Sequence, residues 1–186
     1  MSTSIRVFFA VRLPVTPPLR DVLGQLARMG RAIKTVAPEN LHLTLKFLGD
    51  TDAGWIEPVC ELLDGLASAV PAFDVTLRGL GAFPKPSRPS VIWTGVEPAE
   101  PLVKLADIVE QALTQFGFAA ETRTFQPHVT LARVKARPPR ELESLLESNI
   151  DTEFAEFGVK ELSLVQSHLS PQGPEYKTIH AAHLKV

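Results

Sequence analysis

The sequence predicts an α+β fold made of two related halves, and three observations predict it. Amphipathic helical stretches alternate with short apolar strands. The strands come singly and in pairs, outside strict βαβ alternation, and the run His-x-Thr-Leu occurs twice, at His42 to Leu45 and His128 to Leu131.

The elements follow in order. Arg6 to Leu13 (RVFFAVRL) is rich in Val and Phe and ends at Pro14, a strand leading into a helix start. Leu19, Val22, Leu23, Leu26 and Met29 recur at helical spacing, with Gly30 as a stop. Leu41 to Leu48 (LHLTLKFL) alternates, which puts His42 and Thr44 on one face and Leu41, Leu43 and Leu45 in the core. Gly54 to Val70 is a helix, Phe73 to Leu80 and Ser90 to Val96 are strands, and Leu102 to Phe116 is a second clear amphipathic helix. Phe125 to Val134 (FQPHVTLARV) is a strand, Pro138 to Ser148 a helix, and Val159 to Gln166 and Tyr176 to Leu184 close the chain as strands. The order is β-α-β-α-β-β-α-β-α-β-β, with the two His-x-Thr runs at corresponding places in the halves.

Bulk properties bound the function. The chain has 186 residues, 45% apolar and 22% charged, which suits one compact domain, or two small lobes sharing a core. Its net charge of −2 argues against a long duplex-binding face and leaves room for one small site that takes a phosphate. Cys60, the only cysteine, excludes an internal disulfide and a Cys-rich zinc module, and fits a reducing cytoplasm. Val7 to Val11 is too short for a signal-peptide core or a membrane span, so no membrane partner is expected. Nothing signals an oligomer, and a monomer is the default.

The repeated motif carries the functional argument. Five His and 13 Thr would yield about 0.35 His-x-Thr occurrences by chance, and two followed by Leu is roughly a one-in-a-thousand event. On a strand, His-x-Thr projects an imidazole and a hydroxyl to one side, about 6.5 to 7 Å apart. Two copies facing each other form a cage in which Thr44 and Thr130 bond a phosphate and His42 and His128 reach it. With an ordinary histidine value of about 6.5, one ring can be neutral and the other protonated near pH 7. That suits in-line opening of a cyclic phosphodiester without a metal or cofactor.

At these residues the sequence resembles the two-histidine (2H) phosphoesterase superfamily, specifically its bacterial and archaeal RNA 2′,3′-cyclic phosphodiesterases, also called 2′-5′ RNA ligases. Arg6 to Pro14 is similar to the family's opening strand, Asn40 to Gly49 (NLHLTLKFLG) to its first motif, Phe125 to Arg133 (FQPHVTLAR) to its second, and Ser167 to Tyr176 to its closing stretch. The resemblance implies a single domain, 1–186, of two intertwined, pseudo-symmetric lobes of antiparallel sheet, with outer helices and a central cleft. It also implies hydrolysis of 2′,3′-cyclic phosphates on RNA ends or short oligonucleotides to 2′-phosphomonoesters, with His42 as proton donor and His128 as proton acceptor. The motifs are nearly identical, so the residues alone leave those two roles open. Ile33 to Val36 lacks the Trp many relatives carry there, a change directed at packing or substrate preference. His168 replaces a small residue and has no assigned function.

Other residues have two readings each. Lys46 continues the His42 face, either toward a phosphate or into solvent. Arg133 resembles the family's Arg after the second motif, but strict alternation turns it away from His128, so it needs a bulge or the strand's end to reach the site. Tyr176 and Phe9 are candidates to stack on a base, with core packing favoured for Phe9. Lys85 and Arg88 lie on a stiff loop, Pro84 to Pro89, that either touches RNA or is solvated. His180 and His183 face opposite sides of a strand, poor geometry for a metal pair. Two alternatives stay open: a non-catalytic RNA-end binding module, and 2′-5′ ligation or hydrolysis of another cyclic phosphate.

Overall fold

Apolar helix stripes and apolar strand faces meet on one side of a single curled sheet, which leaves the other side concave and open. A computed structural model of the protein describes residues 4–170 and 173–185. Residues 1–3, 171, 172 and 186 lie outside the described residues, including two of the closing stretch that resembles the family. The elements run β1 (Ser4–Arg12), α1 (Pro17–Arg28), β2 (Ile33–Thr35), β3 (His42–Asp52), α2 (Ile56–Ala69), β4 (Phe73–Phe83), β5 (Val91–Glu97), α3 (Ala99–Gln115), β6 (His128–Val134), α4 (Glu141–Ser148), β7 (Glu153–Val159), β8 (Glu161–Ser170) and β9 (Gly173–His183).

The strand order is β7-β4-β5-β6-β3-β1-β8-β9, with β2 added beside the far half of β6, and every pairing is antiparallel. The sheet is pseudo-symmetric about its middle, where β3 meets β6: β1 flanks β3 as β5 flanks β6. Compared with the sequence reading, β2 and β7 are additions. β2 has three residues, too few to show a period. β7 buries Phe154, Ala155 and Val159, a spacing with no alternation.

α1 begins at Pro17 because Thr16 caps it, accepting from the Leu19 amide, and the Thr16 hydroxyl also donates to the Phe154 carbonyl. Its stripe of Leu19, Val22, Leu23 and Leu26 joins those of α2, α3 and α4 in one core with Val7, Phe9, Val11, Leu43 and Val129. α1 packs on β7, β2 and β6, whereas α3 packs on β3. Phe9 therefore belongs to the core. Its neighbour Phe8 faces the concave side in a small cluster with Ala10, Val165 and Tyr176.

A bulge follows each His-x-Thr run. Ala10 pairs with Thr44 and Phe9 with Lys46, which leaves Leu45 extra, and Trp93 pairs with Thr130 and Ile92 with Ala132, which leaves Leu131 extra. Side-chain parity reverses at both places. On β6 this brings Arg133 to the concave side, the route the sequence required for it. On β3 it brings Phe47 there and sends Lys46 to the helix side, correcting its placement on the His42 face. Lys46 is 8% exposed; its ammonium donates to Glu110 (2.9 Å) and to the Ala119 carbonyl (2.8 Å). Burial acts to raise the Glu110 carboxyl, but the Lys46 and Glu121 hydrogen bonds and the Lys46 charge outweigh it and hold the group below its ordinary value.

Lys46 is thus a structural cation that ties β3 to α3 and to the chain entering β6. Glu110→Ala, which strands the buried ammonium, is expected to lower unfolding stability by about 2–3 kcal/mol, and Lys46→Met by less. Both variants should keep kcat and KM on a cyclic phosphate. Denaturant unfolding with parallel kinetics checks this; a raised KM at unchanged stability in Lys46→Met would return Lys46 to the site.

Candidate active site

β3 and β6 touch at a single register pair, Leu43 opposite Val129. Both of those side chains are buried among the helices, so the residues on either side of each point to the concave face. His42, Thr44, His128 and Thr130 come together there in a cleft of about 560 Å³. Arg133 and Tyr176 line the same cleft, as do Arg6, Phe8, Lys34, Phe47 and Lys135. Of the residues the sequence singles out, Lys46, Phe9, Lys85, Arg88, His168, His180 and His183 are not among its lining. Those it missed are Phe8 and Phe47, hidden by parity and the bulge, and the cations Arg6, Lys34 and Lys135, which no motif marks.

The two histidines have the same local geometry. His42 Nδ1 lies 2.7 Å from the carbonyl of Asn40, and His128 Nδ1 lies 2.7 Å from the carbonyl of Gln126. A carbonyl only accepts, so each Nδ1 carries the hydrogen and each neutral ring keeps its bare Nε2 for the cleft. Both copies are thus set in the tautomer that can take or return a proton at Nε2.

Their surroundings differ. His42 stacks against Phe8 at 4.8 Å between ring centres and meets the edge of Tyr176 at 5.0 Å. Its cross-strand neighbour on β1 is Arg12, whose guanidinium donates to Thr178 Oγ1 (3.3 Å) and the Glu39 carbonyl (3.2 Å) and so braces the turn that carries Asn40. His128 meets the edge of Phe83 at 5.1 Å, with Trp93 behind it, and its cross-strand neighbour is Gly95. A Cβ at Gly95 would lie 2.8 Å from the Arg78 carbonyl, which leaves no room there for a counterpart to Arg12. Trp93 lies flat over Gly81, where a Cβ would come within 2.2 Å of its ring.

Burial lowers His42 below the ordinary value of 6.5, the bond to the Asn40 carbonyl acts the other way, and the Arg12 charge adds to the lowering. Burial raises the Tyr176 hydroxyl against the opposing charges of Arg133 and Arg6, so it remains a donor through neutral pH. Lys85 and Arg88 do not line the cleft. His180 bonds Asp64 at 2.8 Å and His183 lies 3.9 Å from Glu161, on separate partners. Among the described residues no three His, Cys, Asp or Glu side chains gather as a metal site.

A curled antiparallel sheet that faces two His-x-Thr runs across one cleft places the chain in the two-histidine class. The profile of the 2′-5′ RNA ligase superfamily matches residues 18–171, and the chain belongs to that superfamily. It is 44% identical over 170 residues to the RNA 2′,3′-cyclic phosphodiesterase of Aeropyrum pernix, covering 86% of this chain and 94% of that one. With the protein of the same name from Thermotoga maritima it shares 34% identity, over 95% of this chain and 94% of the relative. A crystal structure from Thermus thermophilus superposes with a TM-score of 0.82 at 32% identity, covering 97% and 98% of the two chains. E. coli LigT complexed with 3′-AMP superposes at 0.75 with 28% identity, over 98% and 99%. The resemblance found in the sequence is borne out in family and in fold.

The single-proton form of a histidine pair is the one that can act as acid and base together. Because His42 is lowered, the acid limb of kcat/KM that its titration sets in the free protein is expected below pH 6.5, with activity falling as pH drops through the lowered value. Arg12→Ala should move that limb, and the NMR titration midpoint of His42, to higher pH, while Arg12→Lys leaves them in place. A His42 midpoint at or above 6.5 in the free protein would contradict this.

Proposed function

We propose that the chain hydrolyses 2′,3′-cyclic phosphates at RNA ends to 2′-phosphomonoesters, with His42 and His128 as its acid–base pair. One observation carries the proposal: two histidines held in the same tautomer turn their Nε2 atoms, with two threonine hydroxyls, into a single cation-lined cleft. The relatives' shared name, RNA 2′,3′-cyclic phosphodiesterase, and the 3′-AMP in E. coli LigT support the substrate class.

In this mechanism the cyclic phosphate takes hydrogen bonds from Thr44 and Thr130, and Arg133 and Tyr176 offset charge on the remaining phosphoryl oxygens. Neutral His128 removes a proton from water as its oxygen bonds to phosphorus. The bond from phosphorus to O3′ breaks in line, and protonated His42 delivers its Nε2 proton to that oxygen. The product keeps its phosphate on O2′; His128 has gained one proton and His42 has lost one, so the total charge of the pair is unchanged and a proton exchange resets it. The donor role suits the environment of His42 once the anion is bound: a phosphate at Nε2 raises a ring that is neutral in the empty cleft. Phe47, 61% exposed in the cleft, and Phe8 and Tyr176 beside it supply an apolar face for the base.

His42→Ala and His128→Ala are each expected to lower kcat on cytidine 2′,3′-cyclic phosphate by about 10² to 10⁴-fold while 3′-nucleotide binding persists. A cyclic analogue with sulfur at the 3′ position separates the roles, because a thiolate leaves without a proton. His42→Ala should regain most of its rate on that analogue and His128→Ala should not; rescue of His128→Ala instead would exchange the two roles. Activity is expected to be undiminished in EDTA, and loss there would point to a metal hydrolase.

A further inference from the structure

Arg6 lines the cleft at the end of its aromatic wall, and the acid–base step has no use for it. On β1, Arg6, Phe8 and Ala10 alternate onto the concave face, so Arg6 follows directly after the ring that stacks on His42. It is exposed, and its guanidinium makes no hydrogen bond or ion pair with the described residues. Asp50 stands opposite it in the β1–β3 register, yet the two form no ion pair and Asp50 is not among the residues lining the cleft. Val7 pairs with Gln166, so Ser167 comes next to Arg6 on β8, and Tyr176 lies across from Ser167 on β9. Burial raises the Tyr176 hydroxyl, and the charges of Arg133 and Arg6 oppose it, so the Arg6 charge is felt inside the site. Of the residues lining the cleft from β1, β3, β8 and β9, Arg6 alone is a lysine or arginine.

In-line cleavage sets the direction in which the rest of the RNA leaves the cage. The departing O3′ lies at His42 Nε2 and water enters from the His128 side, so C3′ and the atoms beyond it lie toward the wall of β1, β3 and β9. The cyclic phosphate occupies one face of the ribose; the base and C5′ both project from the other. C4′ is bonded to C3′, so the 5′ phosphodiester continues from the O3′ side along that same wall, past the rings that face the base. Ala10 is level with Thr44, and Arg6 stands four residues farther along β1, about 13 Å in strand length. One nucleotide of backbone and an extended arginine side chain together bridge that span.

We propose that Arg6 holds the phosphate immediately 5′ of the cyclic end, and so makes the protein favour RNA chain ends over free cyclic mononucleotides. The proposal rests on the cyclic phosphate occupying the His-x-Thr cage with O3′ at His42. Arg6 contacts the backbone phosphate and no base, so the preference is independent of the penultimate nucleotide's identity.

The test compares kcat/KM for cytidine 2′,3′-cyclic phosphate with that for the same nucleotide carrying a 5′-phosphate, and with that for CpC ending in a 2′,3′-cyclic phosphate. Wild type is expected to favour both substrates that carry the extra phosphate by about tenfold, the worth of one charge-assisted contact. Replacing the CpC linkage by an uncharged methylphosphonate should abolish the preference while keeping the second base. Arg6→Gln should bring both ratios near one and remove about 0.7 from the slope of log(kcat/KM) against log[salt] for CpC. Arg6→Lys should keep part of the preference. A preference that survives in the methylphosphonate belongs to stacking of the penultimate base; that result, an unchanged ratio in Arg6→Gln, or no preference in wild type overturns the Arg6 subsite. The comparison of substrates on wild type needs no variant, so it decides the matter even where a variant fails to fold. Absence of turnover of all these substrates by wild type would instead overturn the hydrolase reading, so the two failures are told apart.

Discussion

The cleft depends on the one place where β3 and β6 touch, Leu43 against Val129. Those two side chains enter the helix-side core at 1% and 0% exposure, which fixes the parity of both strands at the crossing. With parity fixed, His42, Thr44, His128 and Thr130 have only the concave face available. The strands cannot continue as a regular ladder, because each carries an extra residue immediately after its threonine. They diverge, β2 takes up the freed edge of β6, and the space between the two arms becomes the cleft. Apolar burial on one face thus places the polar constellation on the other, and the bulges give it depth.

A pseudo-symmetric frame places two equal rings, and their neighbours make them unequal. Arg12 and Gly95 occupy equivalent cross-strand positions, beside His42 and His128 respectively. The glycine is imposed by the Arg78 carbonyl behind it, a backbone constraint far from any chemistry. The arginine is held by Thr178 and the Glu39 carbonyl, which also steadies the turn whose Asn40 carbonyl orients His42. A difference in backbone clearance thus leaves a guanidinium beside His42 alone, where its charge adds to the lowering that burial imposes on that ring.

Much of this was legible in the sequence, and the rest was hidden for identifiable reasons. The long amphipathic helices and the alternating strand around His42 showed directly, since their periods are set by burial on one face. The duplicated His-x-Thr run identified four of the cleft's side chains. The bulges left no mark: LTLKF and VTLAR satisfy alternation without them, so strict parity put Lys46 in the cleft and left Phe47 out. The need for a bulge was visible only at Arg133, where the family likeness and the alternation disagreed. Phe8 and Phe9 are indistinguishable in a run of five apolar residues, because the strand is buried on both faces. The Nδ1 bonds to Asn40 and Gln126 were equally out of reach, being set by backbone angles and not by the identity of the accepting residue.

Net charge is the property on which a whole-chain reading and a site reading differ most. A value of −2 argues correctly against a broad polyanion-binding surface, yet it averages over a cleft whose charged side chains, among the described residues, are all cations. Four of the 19 Lys and Arg, namely Arg6, Lys34, Arg133 and Lys135, line the cleft with no acidic residue among its described lining. That local cluster gives the cleft an attraction for anions that the net charge conceals.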